Sequence, residues 1–452
     1  MTAIAGIDWA KAEALKRAEE ERYVARTPRS ATLAERARRS MPSSVPMQWM
    51  AGLYRAPVVF AAEGQGSSFT DVDGNRYIDF NQSDLAGTLG FAHPAITRAL
   101  SDQASHGAAF LLPTEDAFAV SETLARRTGV PFWQFSGTAS SANAEIIRIA
   151  RLATGRERVL MFEGKYHGHG DDVLVTSRNG TEHADLLGLP SDVTRRARTV
   201  PFNDLEALKT ALGKGDVACL VAEPMMTNCN IVFPDEGFWE EAARLVRAAG
   251  SLFVIDEAHT HSFAYGGLTR AWGLKPDALV LGKGLGTGVP FALYGMNAAL
   301  AELCERHLDC FVVEPGLALG GTTYGSALAV AVALAALEDC LTQEDYARVE
   351  TLGMKLADGL EALFARHGLD WRAPRIGGRS GWVLFPELPR DAHEAYRSLD
   401  LRFVDLKRLF FANRGVWEAV WSAGPSASFQ HAASDIDAYL GAADELIQAI
   451  KP

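Results

Sequence analysis

The feature that most limits what this chain can fold into is a set of short, wholly apolar runs. They alternate with helical patterns between about Asn81 and Gly325. The runs are Val159–Phe162 (VLMF), Ala218–Ala222 (ACLVA), Leu252–Ile255 (LFVI), Ala278–Leu281 (ALVL) and Phe291–Tyr294 (FALY). A strand with one wet face alternates in period two, whereas one that is apolar throughout needs cover on both faces. That is the condition of a mostly parallel sheet between helices, so the pattern predicts a large α/β domain. Three runs end on charge: ACLVA leads to Glu223-Pro224, LFVI to Asp256-Glu257 and ALVL to Gly282-Lys283. Ligands of open α/β sheets bind beyond the carboxyl ends of the strands, which brings these charged groups towards one crevice. Asp256 and Lys283 are 27 residues apart, close to one βαβ unit of roughly 30 residues.

The flanks differ in texture. Asp8–Arg26 reads as a charged helix without the apolar stretch of a secretory leader. Ser40–Pro46 reads as a linker, and SSFTDVDGNRYIDF alternates about Asp73-Gly74 as a hairpin does. Beyond Gly325, two long helical patterns precede a mixed tail, Arg372–Pro452. The expected division is an N-terminal segment 1–80 that joins a small domain, a large domain 81–325, and a C-terminal small α+β domain 326–452. The 44 Lys+Arg against 56 Asp+Glu give a net charge of −12. With no basic run, a nucleic-acid or anionic-membrane role is disfavoured. Ala327–Leu337 is the longest apolar stretch and falls well short of the ~20 residues of a membrane span. Cysteines 219, 229, 304, 310 and 340 are scattered without a CxxC, as in reduced cytoplasmic proteins.

Each candidate residue has two readings. Lys283, in LGKGLGTGVP, is either a strand-end amine able to attack a carbonyl or a surface lysine in a glycine-rich loop. A Walker A motif is absent, because Gly284 follows the lysine where Ser or Thr is needed. Asp256 can bind a cation, a metal or a protonated ring nitrogen, or cap the next helix. Gly137–Asn143 (GTASSAN) opens a helical pattern with small hydroxyl residues, which suits an anion at a helix N-terminus and equally a plain cap. Tyr166 can stack on a flat ligand or pack in the core. Together, an amine, a carboxylate, an anion cradle and an aromatic plate match what pyridoxal phosphate requires. A rival reading is a metal-dependent hydrolase, with His167, His169, Asp171, Asp172, Glu257, His259 and His261 as ligands.

The strings AEPMMTN, VIDEAHTHSFAYGG, KPDALVLGKGLGTGVP, GTTYGSALA and GKYHGH resemble the class III, fold type I pyridoxal-phosphate aminotransferases. The branch is that of glutamate-1-semialdehyde aminomutase and amine- or β-amino-acid transaminases. The resemblance implies a seven-stranded, mostly parallel sheet with a small α+β domain. It implies Lys283 as the Schiff-base lysine and proton carrier, and Asp256 as partner of the ring nitrogen. Thr138, Ala139 and Ser140 would lie at the phosphate, Tyr166 on one ring face, and Ala258 with His259 on the other, where family members carry Val. Glu223 would lie near the ring hydroxyl, and Thr322 would reach the phosphate of the neighbouring subunit of a homodimer with shared active sites. Asn228 stands where ornithine- and γ-aminobutyrate-type members carry Glu, which argues against those subfamilies. Trp49, Asn228, Trp417 and Trp421 would edge the substrate pocket, with the tryptophans equally readable as core. Arg379 and Arg414 are the nearest candidates to clamp a substrate carboxylate, and both are also readable as surface residues. The implied activity is ping-pong transfer of an amino group from an amine or β-/ω-amino acid to a keto acid such as pyruvate or 2-oxoglutarate. Alternatives are a glutamate-1-semialdehyde-type aminomutase and an amino-acid epimerase.

Overall fold

The computed structural model describes residues 4, 6–53, 58–178, 180–308, 315–420 and 424–452; Cys310 and Trp421 lie outside them. Two compact units form, one from 94–343 with 389–393 and the other from 1–93, 344–388 and 394–452. The borders differ from 80/81 and 325/326 for identifiable reasons. Residues beyond 80 bond within the small unit, the Gln82 amide to the Ser426 carbonyl and Phe429 N–H to the Thr88 carbonyl at 2.9 Å. At the other border, helix packing keeps the chain in the large unit. There α1 (Pro94–His106) and α2 (Glu115–Thr128) precede α3 (Ala139–Thr154), and α4 (Ala327–Ala335) packs on α1 and α2.

The large unit holds seven strands: β1 (Phe132–Ser136), β2 (Arg158–Phe162), β3 (Ala197–Val200), β4 (Val217–Ala222), β5 (Leu252–Asp256), β6 (Ala278–Leu281) and β7 (Ala292–Met296). Their order is β1-β7-β6-β5-β4-β2-β3. The pairs β6–β5, β5–β4, β4–β2 and β2–β3 are parallel, and β7 runs antiparallel to both of its neighbours. All five sequence runs are strands here, and every residue of β4, β6 and β7 is buried. The edge strands β1 and β3 lacked an apolar run. β3 is ARTV, and its buried Arg198 reaches the Asp216 carboxylate at 3.3 Å.

Helix α3 covers the sheet through Ala142, Ile146, Ile147, Ile149 and Ala150, which join the core with Val159, Val221, Val254 and Val280. Thr138 caps its start by accepting from Ser141 N–H at 3.1 Å, and left-handed Gly155 (φ 65°) ends it.

The small unit packs helices Trp9–Arg26, Leu401–Ala412 and Ala433–Ile450 with a four-stranded sheet, Ala61–Gln65, Ser68–Asp71, Arg76–Asp79 and Val416–Trp417. The hairpin turns at Gly74 (φ 86°), as Asp73-Gly74 predicts. No helix among the described residues is long and apolar enough to cross a membrane.

Because α3 carries the groups discussed next, its packing is worth testing. Ile147→Ala should lower the stability of the large unit by about 2–5 kcal/mol, read as a lower denaturation midpoint in urea.

Candidate active site

The carboxyl ends of β2, β4, β5 and β6 and the start of α3 meet at one edge of the sheet. Asp256 closes β5 and is 3 % exposed. It accepts from Asn143 Nδ2 at 2.8 Å, His167 Nδ1 at 2.9 Å and Ala258 N–H at 3.0 Å. Burial alone would raise its pKa. The hydrogen bond and charge of His167, with the Asn143 and Ala258 donors, more than offset this and hold it below the ordinary carboxylate value. Asp256 is therefore a buried, ionised carboxylate, and among the described residues its only ion-pair partner is His167. Asn143 also donates to the His167 carbonyl at 3.1 Å, so helix α3 and the loop after β2 are fixed on one anion. With Nδ1 turned to Asp256, His167 Nε2 is buried with no hydrogen-bond partner among the described residues.

Lys283 follows β6 and has φ 47°, a left-handed conformation rare outside glycine. Gly282 before it abuts α3: a Cβ there would lie 3.4 Å from the Ala139 Cβ and 3.6 Å from the Ala292 Cβ. The lysine thus leaves the sheet beside the first residue of α3. The loop after β2 approaches the same helix start, with His169 N–H on Ser140 Oγ at 3.2 Å. A Cβ at Gly168 (φ 99°) would fall 2.2 Å from that oxygen, so only glycine fits. Thr138, Ala139 and Ser140 therefore form a helix N-terminus walled by the β2 loop and the Lys283 turn, with the positive end of a 16-residue helix behind it.

Glu223, after β4, is buried and accepts from the Thr227 hydroxyl and from Asn228 Nδ2 at 3.0 Å. The Thr227 hydroxyl also meets His259 Nδ1 at 2.6 Å, linking the Glu223 and Asp256 loops. Asn143 and Thr227 were not singled out as site residues by sequence reasoning, and His167 was singled out only as a metal ligand. The strings containing them, GTASSAN, GKYHGH and AEPMMTN, carried the available signal.

Other expectations fare differently. Tyr166 is 43 % exposed on the β2 loop, edge-on to His169 at 6.0 Å. Thr322 lies exposed in a turn of the large unit. Trp49 and Trp417 belong to the small unit. Trp49 is half-exposed, and Trp417 packs edge-on to Phe69 and Tyr77 at 5.3 Å in an aromatic cluster. Arg379 is not a surface residue: at 1 % exposure it is among the largest buried side chains. Arg414 pairs with Glu19 at 3.1 Å and Glu445 at 2.6 Å. The metal reading is not assembled, since no group of three or more His, Cys, Asp or Glu among the described residues could hold an ion. Glu257 is instead taken up by Thr260 Oγ1 and the N–H groups of Leu268 and Thr269, at 2.7–2.8 Å.

Comparison with known proteins identifies the family. Residues 50–384 match the family profile "Aminotransferase class-III". The chain belongs to the class III aminotransferases. It is 30 % identical over 437 residues to a glutamate-1-semialdehyde 2,1-aminomutase of Neisseria gonorrhoeae, covering 93 % of this chain and 99 % of that one. It superposes on the crystal structure of a glutamate-1-semialdehyde aminomutase from Pseudomonas aeruginosa with TM-score 0.94 at 32 % identity, over 98 % and 99 % of the two chains. A lysine-to-alanine variant of that protein has been crystallised with PMP. An omega-transaminase from Sphaerobacter thermophilus matches at TM-score 0.85 and 26 % identity, over 93 % and 97 %.

The cofactor of this class III enzyme is pyridoxal 5'-phosphate, and the residues fit it. A buried carboxylate kept ionised against its burial calls for a cationic partner, which a protonated ring nitrogen is. The walled helix start suits a phosphate.

The ionisation of Asp256 has a testable sign. A native pKa below the unfolded value contributes stability that is present above the unfolded value and is lost as pH falls through the native one. Melting temperature of the cofactor-free protein should therefore fall on acidification below the ordinary carboxylate range, and Asp256→Asn should flatten that limb of the profile.

Proposed function

We propose that this enzyme exchanges amino and oxo groups on neighbouring carbons of one small molecule, as a glutamate-1-semialdehyde-type aminomutase. The observation that carries the reading is the end-to-end correspondence with an aminomutase of that name, at TM-score 0.94 over 98 % of this chain. When bound, pyridoxal phosphate supplies an aldehyde carbon that can take up an amino group and a ring that draws off electrons. The Lys283 amine would hold that carbon covalently. Once displaced by substrate, its Nζ would carry the proton between the carbons that gain and lose the amino group. Asp256, fixed by Asn143, His167 and Ala258 N–H, would keep a proton on the ring nitrogen. Thr138, Ala139 and Ser140 would bind the phosphate at the start of α3, while Tyr166 and the Ala258–His259 pair would flank the ring. Glu223, steadied by Thr227 and Asn228, would sit by the ring hydroxyl. Asn228 would edge the substrate pocket.

The same reading makes the enzyme a homodimer in which Thr322 of each chain serves the partner's phosphate seat. Support comes from the run Phe110, Leu111, Leu112 and the nearby Phe118, exposed by 50–79 % on the large unit, an apolar surface of the kind that subunit contact covers. Cytoplasmic residence belongs to this reading as well, in keeping with Cys219, Cys229, Cys304 and Cys340 forming no disulfide among the described residues.

The second reading is transfer from an amine or β-amino acid to a separate keto acid, favoured by the match to an omega-transaminase. One experiment separates the two. The loaded enzyme is given glutamate 1-semialdehyde alone, or an amine panel with pyruvate or 2-oxoglutarate. Aminomutase function predicts conversion of the semialdehyde to 5-amino-4-oxopentanoate without any acceptor. No such conversion, with turnover only when a keto acid is added, would establish the second reading instead. In either case Lys283→Ala should abolish the absorbance of covalently held cofactor and cost at least ~10³-fold in turnover, measured spectroscopically and by product assay.

A further inference from the structure

We propose that Tyr324 is a positioning residue for the anion seat: its ring, pressed on Gly137, fixes the turn that aims the first N–H groups of α3. This rests on the assignment of that seat to the cofactor phosphate. Gly137 is the single residue between the end of β1 and Thr138, the cap of α3. A Cβ on Gly137 would lie 3.0 Å from Tyr324 Cε1 and 3.3 Å from Cδ1. On Gly321 it would lie 2.9 Å from both Cε1 and Cζ. The tyrosine ring thus rests on two glycine backbones whose missing methyl groups make its place.

The loop that carries the ring is anchored to the helix it serves. Gly320 N–H donates to Glu145 Oε1 at 2.7 Å, and Glu145 is a buried residue of α3 itself. Tyr324 N–H closes back on the Gly321 carbonyl at 2.9 Å. At the far end, Ser326 Oγ accepts from Ala329 N–H at 3.4 Å as the cap of α4. Between these tethers the ring has a fixed place, and through Gly137 so does the start of α3.

The consequence is specific. Glycine is the most permissive backbone residue, and an anion is held at a helix start only while the N–H groups keep their direction. Removing the ring frees the Gly137 turn and loosens the hold on phosphate, without touching the groups that meet the pyridine ring.

Equilibrium binding to the full-length cofactor-free protein tests this, using pyridoxal phosphate and, as a probe without phosphate, pyridoxal. Tyr324→Ala should weaken pyridoxal phosphate about tenfold or more while pyridoxal binding stays within about twofold, and Tyr324→Phe should bind both as wild type does. Gly137→Ala places a methyl on the ring, so it should weaken pyridoxal phosphate in the wild-type background and have no further effect beside Tyr324→Ala. Equal losses for both ligands, or unchanged phosphate-form binding in Tyr324→Ala, would overturn the proposal. If Tyr324→Ala does not fold, Gly137→Ala alone decides, by the same comparison of the two ligands. A wild-type protein that binds pyridoxal phosphate no tighter than pyridoxal overturns the assignment of the seat itself, a distinct result.

Discussion

A carboxylate removed from water at the end of β5 organises the large unit. Burying an isolated charge is costly, and Asp256 is stabilised by donors drawn from three places: Asn143 on α3, His167 on the β2 loop and Ala258 N–H just beyond the strand. Each of those donors is thereby located. Helix α3 is drawn to the sheet edge by its own packing and again by Asn143, and the β2 loop is held so that Gly168 meets Ser140. The contrast with the next residue is instructive. Glu257 is also wholly buried and rich in donors, yet burial prevails and its pKa is raised. Neighbouring carboxylates of one loop thus differ in the balance of burial against donors, which lowers the pKa of Asp256 and raises that of Glu257.

Close approach is the second recurring device. Gly282 lets the Lys283 turn touch Ala139, Gly168 lets the β2 loop touch Ser140, and Gly137 accepts the ring of Tyr324. Three small residues around one helix start bring separate loops into contact with it, which larger side chains would forbid. The Lys283 backbone itself, at φ 47°, is a strained conformation, and such strain collects at functional positions.

Much of this was legible in the sequence. The continuous runs around ACLVA, LFVI and ALVL are buried strands, and Glu223, Asp256 and Gly282-Lys283 stand at their carboxyl ends. Asp256 and Lys283 were visible for that reason. β3 was not, because its burial depends on Arg198 meeting Asp216, a pairing that no local pattern discloses. Tyr324 escaped notice because its partner, Gly137, is distant in the chain and is defined by what it lacks. Arg379 was read as possibly superficial since arginine is seldom buried, and Trp417 proved to be part of an aromatic cluster whose members come from distant segments. The domain borders shifted because α4 continues the large unit past residue 325, a matter of helix packing that composition does not report.

The most direct test of the account is chemical mapping of the cofactor's attachment. The purified enzyme, saturated with pyridoxal phosphate, is treated with borohydride to make a lysine–cofactor bond permanent, then digested and its peptides weighed. The account predicts the added pyridoxyl-phosphate mass on the peptide containing Lys283 and on no other in stoichiometric amount. Modification centred on a different lysine, or none at all, would contradict it.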